Sequence, residues 1–129
     1  MKIFKQILKT IFLLTLVVSC TNNSETSQEE ERLELDNLKE EIEQLISTGN
    51  CTENSTCDFI AFGSKPCGGP WIYLVYSTSI DVELLKTKVT TYNNYETAHN
   101  IKWGIASDCM VVMPPISVEC IDGECTAIY

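Results

Sequence analysis

An α+β fold is predicted: an antiparallel sheet with a helix packed across one face, stapled by disulfides and preceded by a charged tether helix. Three observations carry it. Two stretches repeat apolar residues at helical spacing. Five short apolar runs are bounded by turn residues, and seven cysteines fall in only 129 residues. A chain this short buries a small core, and small exported domains commonly add disulfides to compensate.

The N-terminus is read first because it decides the redox compartment. Lys2, Lys5 and Lys9 precede an apolar stretch from Ile11 to Val18, too short for a membrane span and suited to a secretory signal. It ends Leu16-Val17-Val18-Ser19-Cys20, which resembles a bacterial lipobox: apolar residues, a small residue at the cut, then a cysteine. Val18 stands where many lipoboxes carry Ala or Ser. The resemblance implies cleavage before Cys20 and acylation of that cysteine. Two or three acyl chains, at about 0.8 kcal/mol per buried methylene, anchor stably where one chain does not. Residues 1–19 are then signal peptide. The mature chain is expected in a bacterial cell envelope, on the outer membrane of a Gram-negative cell, at its periplasmic or surface face.

Residues 20–27 are polar and lack apolar periodicity, as a flexible tether does. Ser27 followed by Glu30 has the spacing of a capping box, and Leu35, Leu38, Ile42 and Leu45 recur on one helical face before Gly49. The spacing predicts a helix over 28–47, within an acidic spacer segment 28–49. That helix is expected to dock loosely and lift the following domain off the membrane. Its leucine seam leaves a short coiled coil as the other reading, although fewer than three heptads carry it.

Residues 50–129 form the expected disulfide-rich domain. Asp58–Phe62 reads as a strand ended by Gly63, 64–70 as a turn, and Trp71–Tyr76 as a second strand covered on both faces. Ser79 or Asp81 caps a second helix fading near Asn100, with Val82, Leu85, Val89 and Tyr92 inward and Lys86, Lys88 and Glu96 largely outward. Cys109–Met113 is the third expected strand, stopped by Pro114 and Pro115. Ile116–Ile121 and Glu124–Tyr129 flank Asp122-Gly123, a strong hairpin signal. The second helix and this hairpin are expected to share one core.

Committing Cys20 to lipid leaves six cysteines, an even set: Cys51, Cys57, Cys67, Cys109, Cys120 and Cys125. A two-residue turn puts Cys120 opposite Cys125 in a closely spaced pair, within disulfide reach. Cys51 and Cys57 enclose a short polar loop that can close on itself, which leaves Cys67 with Cys109. The rival scheme bridges Cys51 or Cys57 to the C-terminal hairpin. A bridge at Cys67 makes it a structural corner; Lys65 is the one nearby cation that could activate a free thiol there.

The pattern Gly63-Ser-Lys-Pro-Cys-Gly-Gly-Pro70, Tyr73-Leu-Val-Tyr-Ser77, Ser107-Asp-Cys109 and Cys120-Ile-Asp-Gly-Glu-Cys125 resembles small cysteine-rich exported bacterial proteins of unassigned function. The resemblance implies a shared disulfide domain and no activity.

Net charge is −9, and loss of the three signal lysines leaves −12. There is no basic patch, which argues against nucleic acid as a partner. Catalytic signatures are sparse. His99 is the single histidine, and Glu96-x-x-His99 is at most half of a di-iron motif. No Cys-x-x-Cys supports zinc, and no Gly-x-Ser-x-Gly or Ser-x-x-Lys supports acyl transfer in the mature chain. Asp81 and Asp108 read as turn or cap residues. No catalytic residue, metal or cofactor is therefore expected. The aromatic residues remain, and Trp71, Tyr73 and Trp103 are the candidate binding patch for an envelope protein or a glycan. Three function classes follow: a tethered binding or inhibitory module, an assembly lipoprotein acting through the leucine seam, and an envelope enzyme built on Asp81, Asp108 and His99. Exposed aromatics would favour the first, helix-mediated oligomers the second, and a pocket joining those three residues the third.

Overall fold

The computed structural model describes residues 26–52 and 55–129; the expected signal peptide, Cys20 and most of the expected tether lie outside the described residues. The architecture is α+β, with two helices, two small antiparallel sheets and three disulfides. In chain order the elements are α1 (Gln28–Ser47), β1 (Cys57–Phe62), β2 (Ile72–Ser77), α2 (Val82–Trp103), β3 (Ser117–Ile121) and β4 (Glu124–Ile128).

Both helices start where their caps predict. Ser27 Oγ accepts from the Glu30 amide at 3.2 Å, while Glu30 Oε2 accepts from the Ser27 amide at 2.7 Å. That reciprocal pair satisfies two amides that a helix start otherwise leaves bare. Asp81 Oδ1 accepts from the Leu84 amide at 2.9 Å and opens α2, which ends at Gly104. The helix passes beyond Asn100 to Trp103, an extension that positions His99 and Trp103 on one rigid element.

β1 and β2 pair from Cys57–Ser77 to Phe62–Ile72. The turn between them depends on Gly63, whose φ is +82° and whose missing Cβ would lie 2.5 Å from Trp71 Cδ1. The expected hairpin forms in the expected register, with Ile121 opposite Glu124 and Cys120 opposite Cys125. Asp122 and Gly123 both have positive φ, the twist that suits a two-residue connection.

Leu35, Ile42, Phe62, Tyr76, Leu85, Val89 and Tyr92 form the core. Two expectations change here. Helix α1 is no loosely docked spacer: it places Leu35 and Ile42 in that core, and Lys88 Nζ of α2 reaches Glu41 Oε2 at 2.6 Å. The C-terminal hairpin, conversely, does not share the core. None of the buried core residues comes from β3 or β4.

Two further corrections concern the cysteines and the third strand. The bridges are Cys51–Cys120, Cys57–Cys125 and Cys67–Cys109, so the two local pairings give way to the rival scheme. The Cys51 amide donates to the Gly123 carbonyl at 3.1 Å, which draws the hairpin tip onto the segment before β1. Long-range bridges also restrict the unfolded chain more. Closing 69 and 68 residues stabilises by about 4 kcal/mol each on the chain-entropy estimate, against less for a closed loop of a few residues. Cys109–Met113 is not a strand. Its chain is held instead by Lys65 Nζ on the Met110 carbonyl at 2.9 Å and by Asp108 Oδ1 on the Met110 amide at 3.1 Å. Those bonds occupy the groups a ladder would need.

The core predicts graded costs. Leu85→Ala, at a fully buried site, should lower stability by about 2–5 kcal/mol. Lys86→Ala, on the exposed face, should be nearly silent, and Val118→Ala in β3 should cost less than about 1 kcal/mol. Urea denaturation of the four proteins, wild type included, measures this order; a Val118 cost equal to that of Leu85 would place the hairpin in the core.

Candidate functional site

The last turns of α2 run beside the first turns of α1, and polar side chains from both meet there. Glu31 is buried in the first turn of α1. Its Oε1 accepts from Lys102 Nζ at 2.6 Å and Thr26 Oγ1 at 2.8 Å. Its Oε2 accepts from Trp103 Nε1 at 2.8 Å and lies 3.1 Å from His99 Nδ1. Four donors converge on one carboxylate, led by the Lys102 ammonium and the Trp103 indole. They hold its pKa at about 2, against 4.5 for an unperturbed glutamate. His99 is thus a buried partner of Glu31. Because an ionised carboxylate only accepts, His99 Nδ1 is the donor in this contact.

His99 also lines a cleft of about 330 Å³, together with Arg32, Asp36, Trp71, Tyr92, Glu96 and Asn100. This is the size of a small ligand pocket. Glu96, expected on the solvent face, turns into the cleft instead. Its Oε2 accepts from the Ser64 amide and its Oε1 from Tyr92 Oη at 3.4 Å. Burial raises its pKa, with the Ser64 amide pulling the other way. Burial also raises the Tyr92 hydroxyl, with Glu96 adding to it. The cleft therefore offers an indole, a phenol, an imidazole and two carboxyls, one of them inclined to hold its proton.

The candidate aromatic patch divides. Trp71 lines the cleft beneath Lys65, whose Nζ is 5.2 Å from the ring. Trp103 does not line the cleft but neighbours His99, ring centres 6.5 Å apart, with Lys102 Nζ 4.9 Å from its own ring. Tyr73 is elsewhere, on β2, edge-on to Phe59 at 5.7 Å. Trp71 and Trp103 are thus brought around His99, and Tyr73 is not. Asp81 caps α2 and Asp108 pairs with Lys65 at 2.9 Å, so neither meets His99. The sulfurs of Cys51, Cys57 and Cys125 lie within 4.8 Å of one another because two disulfides sit side by side. As bonded sulfurs they are not the thiolates a metal requires.

Glu31 and Lys102 were not singled out from the sequence. The local signal at Glu31 was only a helix-start acid, and 71 residues separate it from Lys102.

The depressed Glu31 pKa sets a pH dependence. A carboxylate held below its unfolded value stabilises the fold above pH 4.5, and that contribution is lost as pH falls towards 2. Glu96 has the opposite sign: its raised pKa favours the fold at low pH. Denaturation midpoints followed from pH 6 to pH 2.5 should fall more steeply for wild type than for Glu31→Gln. Glu96→Gln should fall at least as steeply as wild type. Parallel wild-type and Glu31→Gln curves would contradict the assignment.

Comparison with family models, curated proteins and solved structures finds no match to this chain, so the site rests on its own residues.

Proposed function

We propose that the chain is a membrane-anchored envelope lipoprotein that displays a non-catalytic binding domain, with the His99 cleft as its recognition site. The observation that carries the reading is the cleft's make-up: Trp71 and Tyr92 supply apolar ring faces beside the polar edges of Glu96 and His99. Such a mixture suits recognition of a sugar or a protein side chain. The Leu-Val-Val-Ser-Cys20 stretch supports the anchor. All six other cysteines are bridged, as suits an oxidising compartment and a rigid displayed domain.

The two alternatives find less support. Assembly through the leucine seam would need Leu35 and Ile42, which are spent on the core. An enzyme built on Asp81, Asp108 and His99 would need them together, and each has a different partner.

Two measurements test the reading. Wild type should incorporate a fatty-acid probe and Cys20→Ser should not; unlabelled wild type would remove the anchor. For the cleft, immobilised wild type and Trp71→Ala are exposed to solubilised envelope components and separately to a glycan array. A species held by wild type and lost from a folded Trp71→Ala supports the site. Identical retention by both proteins contradicts it.

A further inference from the structure

The tether leaves the domain at a defined place. Thr26 lies against the last turn of α2, with Lys102 Nζ 3.4 Å from its carbonyl. The same end collects the turn after β1, since Asn100 Nδ2 donates to the Ser64 carbonyl at 2.8 Å. It also collects the start of the segment that follows α2, through Lys65 on Met110 and the Cys67–Cys109 bridge. One end of the molecule thus carries both the tether exit and the chain 104–110.

That end, and the side running down to β3, is unusually apolar for a surface. Ile101 is 78% exposed, Met110 73%, Val111 82%, Met113 68% and Ile116 83%. Residues 109–118 contain no charged side chain. Exposed large apolar side chains gathered on one part of an otherwise acidic protein mark an interaction surface.

We infer that this surface, Ile101 with Met110–Ile116, rests on the lipid bilayer to which Cys20 is anchored. The inference rests on the lipoprotein reading. Cys20 to Thr26 is a run of six residue steps, and at most about 3.6 Å per step they span no more than about 22 Å. Helix α2, with 22 residues at about 1.5 Å each, is longer than that, roughly 33 Å. The tether therefore keeps the Thr26 end at the membrane and the hairpin tip away from it. The apolar side chains enter at headgroup depth, where backbone groups without a ladder can still bond to water. The attraction is apolar rather than electrostatic, because Glu29 and Glu30 are exposed beside the tether exit.

The mature chain holds two methionines, Met110 and Met113, both on this surface. Their oxidation by dilute peroxide reports its cover. Processed full-length wild type and Val111→Asp are reconstituted in phosphatidylcholine vesicles, recovered by flotation and mapped by mass spectrometry. Both should float. Met110 and Met113 should oxidise at least about fivefold more slowly in wild type than in Val111→Asp. Floating wild type that oxidises as fast as the variant overturns the docking while leaving the anchor intact. Failure of wild type to float removes the anchor, and the docking with it. Protection in native envelope vesicles but not in phosphatidylcholine would assign the surface to a protein partner and overturn the inference.

Discussion

The C-terminal hairpin is held by covalent bonds, and the shape of the domain depends on them. An isolated two-stranded hairpin is marginal in water, and this one contributes no residue to the buried core. Cys51–Cys120 and Cys57–Cys125 join each of its strands to the chain entering β1, side by side. The third bridge, Cys67–Cys109, fixes the turn after β1 to the segment leaving α2. Together the three bridges tie the two parts of the chain that burial alone leaves loose.

The other organising contact is Glu31. Burying a carboxylate is costly unless its acceptor sites are filled, and here four donors fill them. In doing so Glu31 joins the start of α1 to the end of α2, orients His99 at the cleft and fixes the point where the tether leaves. Helix α1 is thereby part of the domain. The Thr26 end of the domain and the His99 cleft are set by the same few side chains.

Much of the secondary structure was legible because its signals are local. Ser27 with Glu30, Asp81, and Asp122-Gly123 each act within four residues, and each appears where the sequence puts it. Leu35, Ile42, Leu85 and Val89 were legible as inward positions because burial follows helical period. What could not be read was the choice among distant partners. Cys120 faces Cys125 in register yet bonds Cys51, since the hairpin lies against a segment 69 residues earlier. Glu96 looked like a surface charge until the Ser64 amide, 32 residues away, met it. The apolar run at Cys109–Met113 had strand composition, but Lys65 and Asp108, 45 and 2 residues away, take the Met110 carbonyl and amide, and most of its side chains stay exposed.

The bridge pattern is the most direct test of this account, because the hairpin's attachment depends on it. Digestion under non-reducing conditions, with alkylation of any free thiol and mass mapping of linked peptides, reads the pattern without assumption. The structure predicts Cys51–Cys120, Cys57–Cys125 and Cys67–Cys109, with no alkylated cysteine among these six. Recovery of Cys51–Cys57 together with Cys120–Cys125 would contradict it, since the hairpin would then be closed on itself and unattached to β1.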